Sequence, residues 1–463
     1  VIGGGLAGIF AGYELVSQRP DLRIALLEQG VAIDKRSCPI IDKKTDHCIN
    51  CRTCAIMRGF GGAGAYSDGK FNFTAQFGGW LNDYLPDQDV ISLIEYVDRV
   101  NQRFGATDVY YSTDTAAADL IRRKAIGLDL HLLDARCKHL GTERNREILA
   151  AQAAYLNERL DLLCETQVTD IERDPAGTYH VQTSRGDYTC QYLIAAPGRS
   201  GAEWFSEQCR RLGLNLINNQ VDIGVRVELP AIVFKEITDA VYEAKLHYRT
   251  KRYKDSVRTF CMNPYGYVVT ENTDGILTVN GHSYTDPALR SENTNFALLV
   301  SNSFTSPFRE PYKYGKRIAS LSNMLGGGVL LQRFGDLIDG RRTNEHRLSQ
   351  SFVTPTLDAT PGDLSLVLPK RHLDNIIEMI MTLDKLAPGT ANHDTLLYGV
   401  EVKFYSSRLE LSNELETRLP GFYAIGDGAG ITRGLSQAGA SGVIAARSIL
   451  GRLPAIDKPR INP

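Results

Sequence analysis

Apolar positions along the chain follow two different spacings, and the switch between them marks its parts. Val1-Ile2 closes an apolar strand, the glycine run Gly3-Gly4-Gly5-Leu6-Ala7-Gly8 follows, and apolar residues then recur at helical spacing from Ile9 to Val16. A second strand, 23–27, ends at Glu28. Helices with one polar face are predicted over 89–104 and 143–160. Between 221 and about 303 the pattern becomes alternating, in VDIGVRVEL, KLHYRTK, YGYVVTE, GILTVNG and FALLVS, which predicts a mixed or antiparallel sheet. A helix over 371–386, a short strand over 421–427 and an apolar helix over 435–450 complete the chain. It contains no internal repeat, low-complexity tract or long charge run.

Strand, glycine turn, helix and a second strand ending in an acid is the context a dinucleotide requires. Gly3 permits the turn, Gly5 lets the backbone approach a pyrophosphate, and Gly8 lets helix and strand pack. The helix N-terminus offers N–H groups to the anion, and Glu28 can accept hydrogen bonds from an adenosine ribose. The fingerprint is already under way at Val1, without an initiator Met, so the first strand is expected to start upstream.

Composition narrows the class. The 463 residues carry 52 Lys+Arg against 54 Asp+Glu, a formal net charge of −2, which supplies no overall field for nucleic acid. With 43% hydrophobic and 23% charged residues the chain reads as folded, and a prior of about 150 residues per domain suggests two or three domains. No apolar run approaches the roughly 20 residues that span a bilayer, so a soluble cytoplasmic protein without a membrane partner is expected.

The C-terminal Gly421-Phe422-Tyr423-Ala424-Ile425-Gly426-Asp427, its glycine turn (Gly428, Gly430, Gly434) and the following helix resemble the second FAD motif of glutathione-reductase-like flavoproteins. There the aspartate, here Asp427, binds the ribityl and pyrophosphate part, and the helix aims its N-terminus at the flavin N1–C2=O edge. The segment from Tyr192 to Gly201 looks like the strand and loop that leave such a FAD domain, with Pro197 where Thr is commoner. Together with GFGGAGAYSDGK, HLGTE, DIGVRVE, VRTFCMNP, VNGHS, QRFGDLI and AIGDGAGITRGLSQAGASG, these segments resemble the uncharacterised FAD-dependent dehydrogenases over almost the whole chain. The resemblance implies an α/β fold: a Rossmann-like FAD-binding domain of glutathione-reductase type with an inserted mixed α+β substrate domain. The expected boundaries are 1–205 and 390–463 for the two FAD-binding parts and 206–389 for the insertion. Expected FAD contacts are Gly3, Gly5, Gly8, Glu28, Gly61, Gly62, Gly64, Gly198, Gly426, Asp427, Arg433 and Gly434.

The run Gly59-Phe60-Gly61-Gly62-Ala63-Gly64 formally repeats GxGxxG, but no β-rich run precedes it, so it reads as a backbone approach to the flavin. Just before it, Cys38, Cys48, Cys51 and Cys54 form C-x9-C-x2-C-x2-C, a spacing that suits a 4Fe-4S cluster, tetrahedral zinc, or redox thiols without a metal. His47 beside them is read as a neighbour rather than a ligand.

A flavin needs from the protein a placed substrate and the management of one proton. Arg226, Arg258, His282 and Tyr284 are the catalytic candidates, His282 being the acid/base choice, with Ser436 beside the flavin. Arg226 and Glu228 alternate on one strand face and are expected to pair with each other, and Cys261 reads as a small buried residue. The expected function is a FAD-dependent oxidoreductase acting on a small organic substrate. An iron–sulfur relay, direct NAD(P)H docking and a redox partner protein stay open. A flavin-dependent RNA-modifying or RNA-binding protein is the alternative, with Lys251, Arg252, Lys254 and Arg258 as its basic cluster. A non-catalytic flavoprotein that presents a partner-binding surface is a third reading.

Overall fold

The computed structural model describes residues 1–454 except 43, 46–48, 50, 52, 135, 218, 274, 285, 306 and 309. Its architecture is mixed α/β, built around two main cores.

The first core surrounds a parallel sheet. Ile2 bridges both Leu27 and Ala195, so the strand order is Asp161–Leu163, Ala25–Leu27, Ile2, Leu193–Ala195, Phe422–Ala424. The strand ends meet the starts of two helices, Leu6–Gln18 and Leu435–Arg452, hereafter the first and last helix. These two helices cross closely because Gly442 has no side chain: a Cβ there would lie 2.2 Å from the Ala7 carbonyl oxygen and 2.8 Å from the Ala11 nitrogen. In the glycine fingerprint, Gly3 turns at φ +99° and a Cβ on Gly8 would lie 2.0 Å from the Gly3 oxygen. Both observations match the roles the spacing assigns to them.

The second core is built on an eight-stranded sheet ordered Thr360–Pro361, Leu330–Arg333, Leu396–Phe404, Val221–Pro230, Asn293–Asn302, Ser256–Asn263, Leu246–Arg249, Leu130–Leu132. Because side chains alternate along a strand, each central strand has two characters. Val221, Ile223, Val225 and Val227, with Val400, Val402, Phe296, Leu298 and Val300, form an apolar face packed by helices Pro311–Gly326 and Lys370–Leu386. The intervening positions carry Asp222, Arg226, Glu228, Arg258, Glu401 and Lys403 on the other face.

The expected boundaries shift. Leu396–Phe404, placed by the sequence in the returning FAD-binding part, is a central strand of this second sheet, and the chain rejoins the first core at Leu409. Helix Ala116–Ile126 and strand Leu130–Leu132, expected in the first part, also bury their apolar residues in the second core. Apolar strands of this kind fit either sheet by composition, and their pairing partners decide. The strand Ser256–Asn263 was visible as a motif, and the structure inserts it between Leu246–Arg249 and Asn293–Asn302.

Substituting Gly442→Val should destabilise the protein by about 2–3 kcal/mol, because overpacking at a closed crossing displaces backbone. Gly451→Ala in the same helix, where a Cβ meets nothing within 4 Å, should leave stability unchanged or raise it. Urea denaturation of both variants checks this pair.

Candidate functional site

One cavity, with about 1270 Å³ of empty space counting its open mouth, lies between the two cores. Its first wall is glycine. Gly5, Gly61, Gly62, Gly64, Gly198, Gly426 and Gly434 line it, as do Asp427 and Arg433. The first and last helices both begin on this wall, capped by Gly5 and Gly434, with no side-chain cap and no acidic residue in either first turn. Their leading N–H groups therefore face the cavity with their positive dipole ends. The segment Gly59–Tyr66 threads between them: a Cβ on Gly64 would meet Leu6 at 2.9 Å and Leu435 at 3.1 Å, the first residues of the two helices.

That segment is held from behind by Arg36. Its guanidinium donates to the carbonyls of Ala55, Ile56, Phe60 and Gly62 at 2.6 to 3.0 Å and to Gly59 at 3.4 Å. Arg36 is 3% exposed, and burial pushes its pKa down to about 10. Glu28 does similar work: Oε1 accepts from Gly30 and Gly59 N–H, and Oε2 accepts from Gly4 N–H.

The wall fits FAD on several counts. A Cβ on Gly5 would have only Gly62 Cα near it, at 4.0 Å, and one on Gly198 would meet nothing, so these backbone positions face space a ligand can fill. Ser436 Oγ, in the first turn of the last helix, is buried without a hydrogen-bond partner. Asp427 accepts from Thr432 Oγ1 at 2.7 Å, and burial raises its pKa against the opposing pull of Arg433 and Arg199.

The opposite wall is the charged face of the eight-stranded sheet and its surroundings, with Asp68, Lys70, Glu243, Lys245, Phe260, Cys261, Asn280 and Lys403 on the cavity. Lys70 pairs with Asp68 at 3.0 Å, Lys245 with Glu243 at 2.6 Å and Lys403 with Glu401 at 2.7 Å. Burial disfavours the charge on Lys70, yet Asp68 and Glu243 hold its pKa well above the ordinary value, so it is a fixed cation. Behind Asp68, His139 accepts or donates one bond with Tyr242 Oη at 2.8 Å, and burial lowers its pKa to about 4, leaving it neutral near pH 7. To one side, Arg199 reaches Glu271 at 2.7 Å and Asp427 at 4.0 Å.

The four catalytic candidates do not line this cavity. Arg226, 0% exposed, is held by Glu401 at 3.4 Å and the Cys261 carbonyl at 2.8 Å rather than by Glu228, which accepts from Tyr398 and Thr356. Arg258 is taken up by Asp222 at 2.6 Å and Tyr405 Oη at 2.8 Å. His282 sits edge-on to Tyr284, ring centres 4.6 Å apart, with its pKa lowered by burial. Gly3, Gly8 and Glu28 lie behind the glycine wall and shape it. Cys261 is half-buried on the cavity rather than sealed in a core.

Sequence reasoning missed the lysines and their acids, although a signal was present. Asp68-Gly-Lys70, Glu243-Ala-Lys245 and Glu401-Val-Lys403 repeat acid-x-Lys, which puts both charges on one side of an extended segment.

Of the four cysteines, Cys48 lies outside the described residues; Cys51 is exposed, and Cys38 and Cys54 are half-buried. Among the described residues no three metal-ligating side chains are grouped. Three of the four residues of the expected basic cluster pair with acids, Lys251 with Asp129, Arg252 with Asp374 and Arg258 with Asp222, which weakens the observation that favoured an RNA ligand. No helix among the described residues is long and apolar enough to cross a membrane.

Residues 220–404, which contain seven of the eight strands of the charged sheet, match the family model of the FAD-dependent protein, C-terminal domain-like. The resemblance read from the sequence is borne out to that extent. A protein of Clostridium beijerinckii, described as an uncharacterized protein, is 27% identical over 470 residues, covering 97% of this chain and 80% of its own length. Among solved structures, glycine oxidase from Geobacillus kaustophilus is similar at 13% identity and a TM-score of 0.37, over 98% of this chain and 95% of that one. L-proline dehydrogenase from P. horikoshii is similar at 12% identity and a TM-score of 0.40, over 97% and 92%.

The site predicts an acid-labile contribution to stability. Burial pushes the Glu271 carboxyl up, but Arg199, Lys403 and Arg433 more than reverse this and hold it at about 2, below its ordinary 4.5. A depressed carboxylate stabilises the fold above its unfolded pKa, and that contribution is lost as pH falls through the folded value. Wild type should therefore exceed Glu271→Gln in stability near neutral pH, and the gap should narrow by ~3 kcal/mol between about pH 5 and about pH 2, as urea titrations would show.

Proposed function

We propose that this chain is a FAD-dependent oxidoreductase with a FAD-binding domain of glutathione-reductase type, acting on a small organic molecule in the cavity between its two cores. The observation that carries the reading is the convergence of two uncapped helix N-termini on one glycine-lined wall, opposite a desolvated charged sheet. When bound, FAD supplies two-electron chemistry to the organic molecule beside it.

The chain's own residues do the rest. The first turn of the first helix offers N–H donors to a pyrophosphate, and Gly5 and Gly62 let the backbone reach it. Asp427, on the cavity, is the carboxylate available to hydroxyl groups, and Glu28 holds the backbone of Gly4, Gly30 and Gly59 behind the wall. The first turn of the last helix, with the unpaired Ser436 Oγ, favours negative charge at the other end of the wall. Phe77 and Phe260 help line the substrate side, where Lys70 keeps its proton and stays a cation. A one-electron relay through Cys38, Cys48, Cys51 and Cys54 is not part of this proposal.

Gly5 tests it selectively. Its backbone is extended, at φ −77° and ψ 178°, so a side chain there is tolerated by the fold but projects into the cavity. Wild type should bind one FAD per chain, and Gly5→Leu should keep wild-type stability to within about 1 kcal/mol while losing FAD retention. Retention of FAD by a folded Gly5→Leu chain would contradict the placement, and a wild-type chain that takes up no FAD would remove the proposal.

A further inference from the structure

We infer that the substrate of this cavity bears a carboxylate, held by Lys245 and Lys403 beside Phe260. The inference rests on the flavin reading above and adds the substrate class.

The three cavity lysines are not equivalent. Lys70 has its three ammonium protons committed, to Asp68 at 3.0 Å, the Met262 carbonyl at 2.7 Å and Asn263 Oδ1 at 3.0 Å. Lys245 meets one carboxylate, Glu243 at 2.6 Å, and otherwise lies over aromatic faces, 4.6 Å from the Phe77 ring centre and 4.5 Å from that of Phe260. Lys403 meets Glu401 at 2.7 Å and stands 5.8 Å from the same Phe260 ring centre. Each of these two ammonium groups therefore keeps donors to spare at the cavity.

Ammonium protons held out of water are costly to leave without acceptors. The cofactor's phosphates do not take them, since the donors suited to the phosphates lie on the opposite wall, at the first helix. A ligand anion with an apolar body satisfies both features: its carboxylate takes the free lysine donors, and its body lies on Phe260 and Phe77.

Calorimetric titration of the FAD-loaded protein with phenylacetate and succinate, each against its amide, and with inorganic phosphate tests the inference. FAD content is followed separately by flavin absorbance. At least one acid should bind saturably and about tenfold or more tighter than its amide and than phosphate. Lys245→Met and Lys403→Met should each weaken that acid by about tenfold or more at unchanged FAD content, and Glu243→Gln, which frees Lys245, should tighten it. A gain of affinity cannot come from a misfolded chain. Equal binding of acid and amide, phosphate binding as tight as the acid, no binding of either acid, or an unchanged Glu243→Gln would overturn it. If the chain takes up no FAD, the oxidoreductase reading fails, and the acid-to-amide ratio on the FAD-free chain still decides this inference.

Discussion

Two helices that start more than 400 residues apart in the sequence open onto the same space with nothing capping them, and the rest of the site is arranged around that constraint. An uncapped first turn leaves N–H donors without partners, which is unfavourable in a buried setting unless a ligand or solvent takes them. Gly442 brings the helices together by letting the last helix cross against the backbone of Ala7 and Ala11. Gly64 then fits between their first residues, and Arg36, buried among five carbonyls, fixes the segment that carries it. A larger residue at these crossings would separate the helix ends or fill the space between them.

Facing this wall is a sheet whose two sides do different work. The apolar side is an ordinary packed core, while the other holds Asp222, Arg226, Glu401 and Lys403 away from bulk water. Buried ion pairs contribute little net stability once desolvation is counted, so their weight falls on which charges the cavity accepts. Paired acids and lysines keep the wall close to neutral, with Glu401 shared between Arg226 and Lys403. The fold thus separates two tasks: donors from backbone on one side, charge from side chains on the other.

Much of the first wall was legible in the sequence because glycine has few reasons to recur at fixed spacing beside a strand and a helix. Gly5, Gly62, Gly198, Gly426 and Gly434 all reach the cavity, and the helix limits came within a few residues of those expected. The second wall was harder to read. Arg226 and Glu401 are 175 positions apart and meet only through the pairing of Val221–Pro230 with Leu396–Phe404, which no local pattern specifies. His282 and Tyr284 were chosen by residue type, and their rings instead pack on each other. The acid-x-Lys repeats were visible, but an alternating strand with charges on one side looks the same whether that side meets water or a cavity.

A crystal structure of the protein grown with FAD decides whether one dinucleotide bridges the two helix ends. The pyrophosphate should lie within hydrogen-bonding distance of the N–H groups at the start of Leu6–Gln18, and the ring system between the start of Leu435–Arg452 and Phe260. Density for the dinucleotide at any other place on the protein, or a pyrophosphate turned away from the first helix, would contradict this placement.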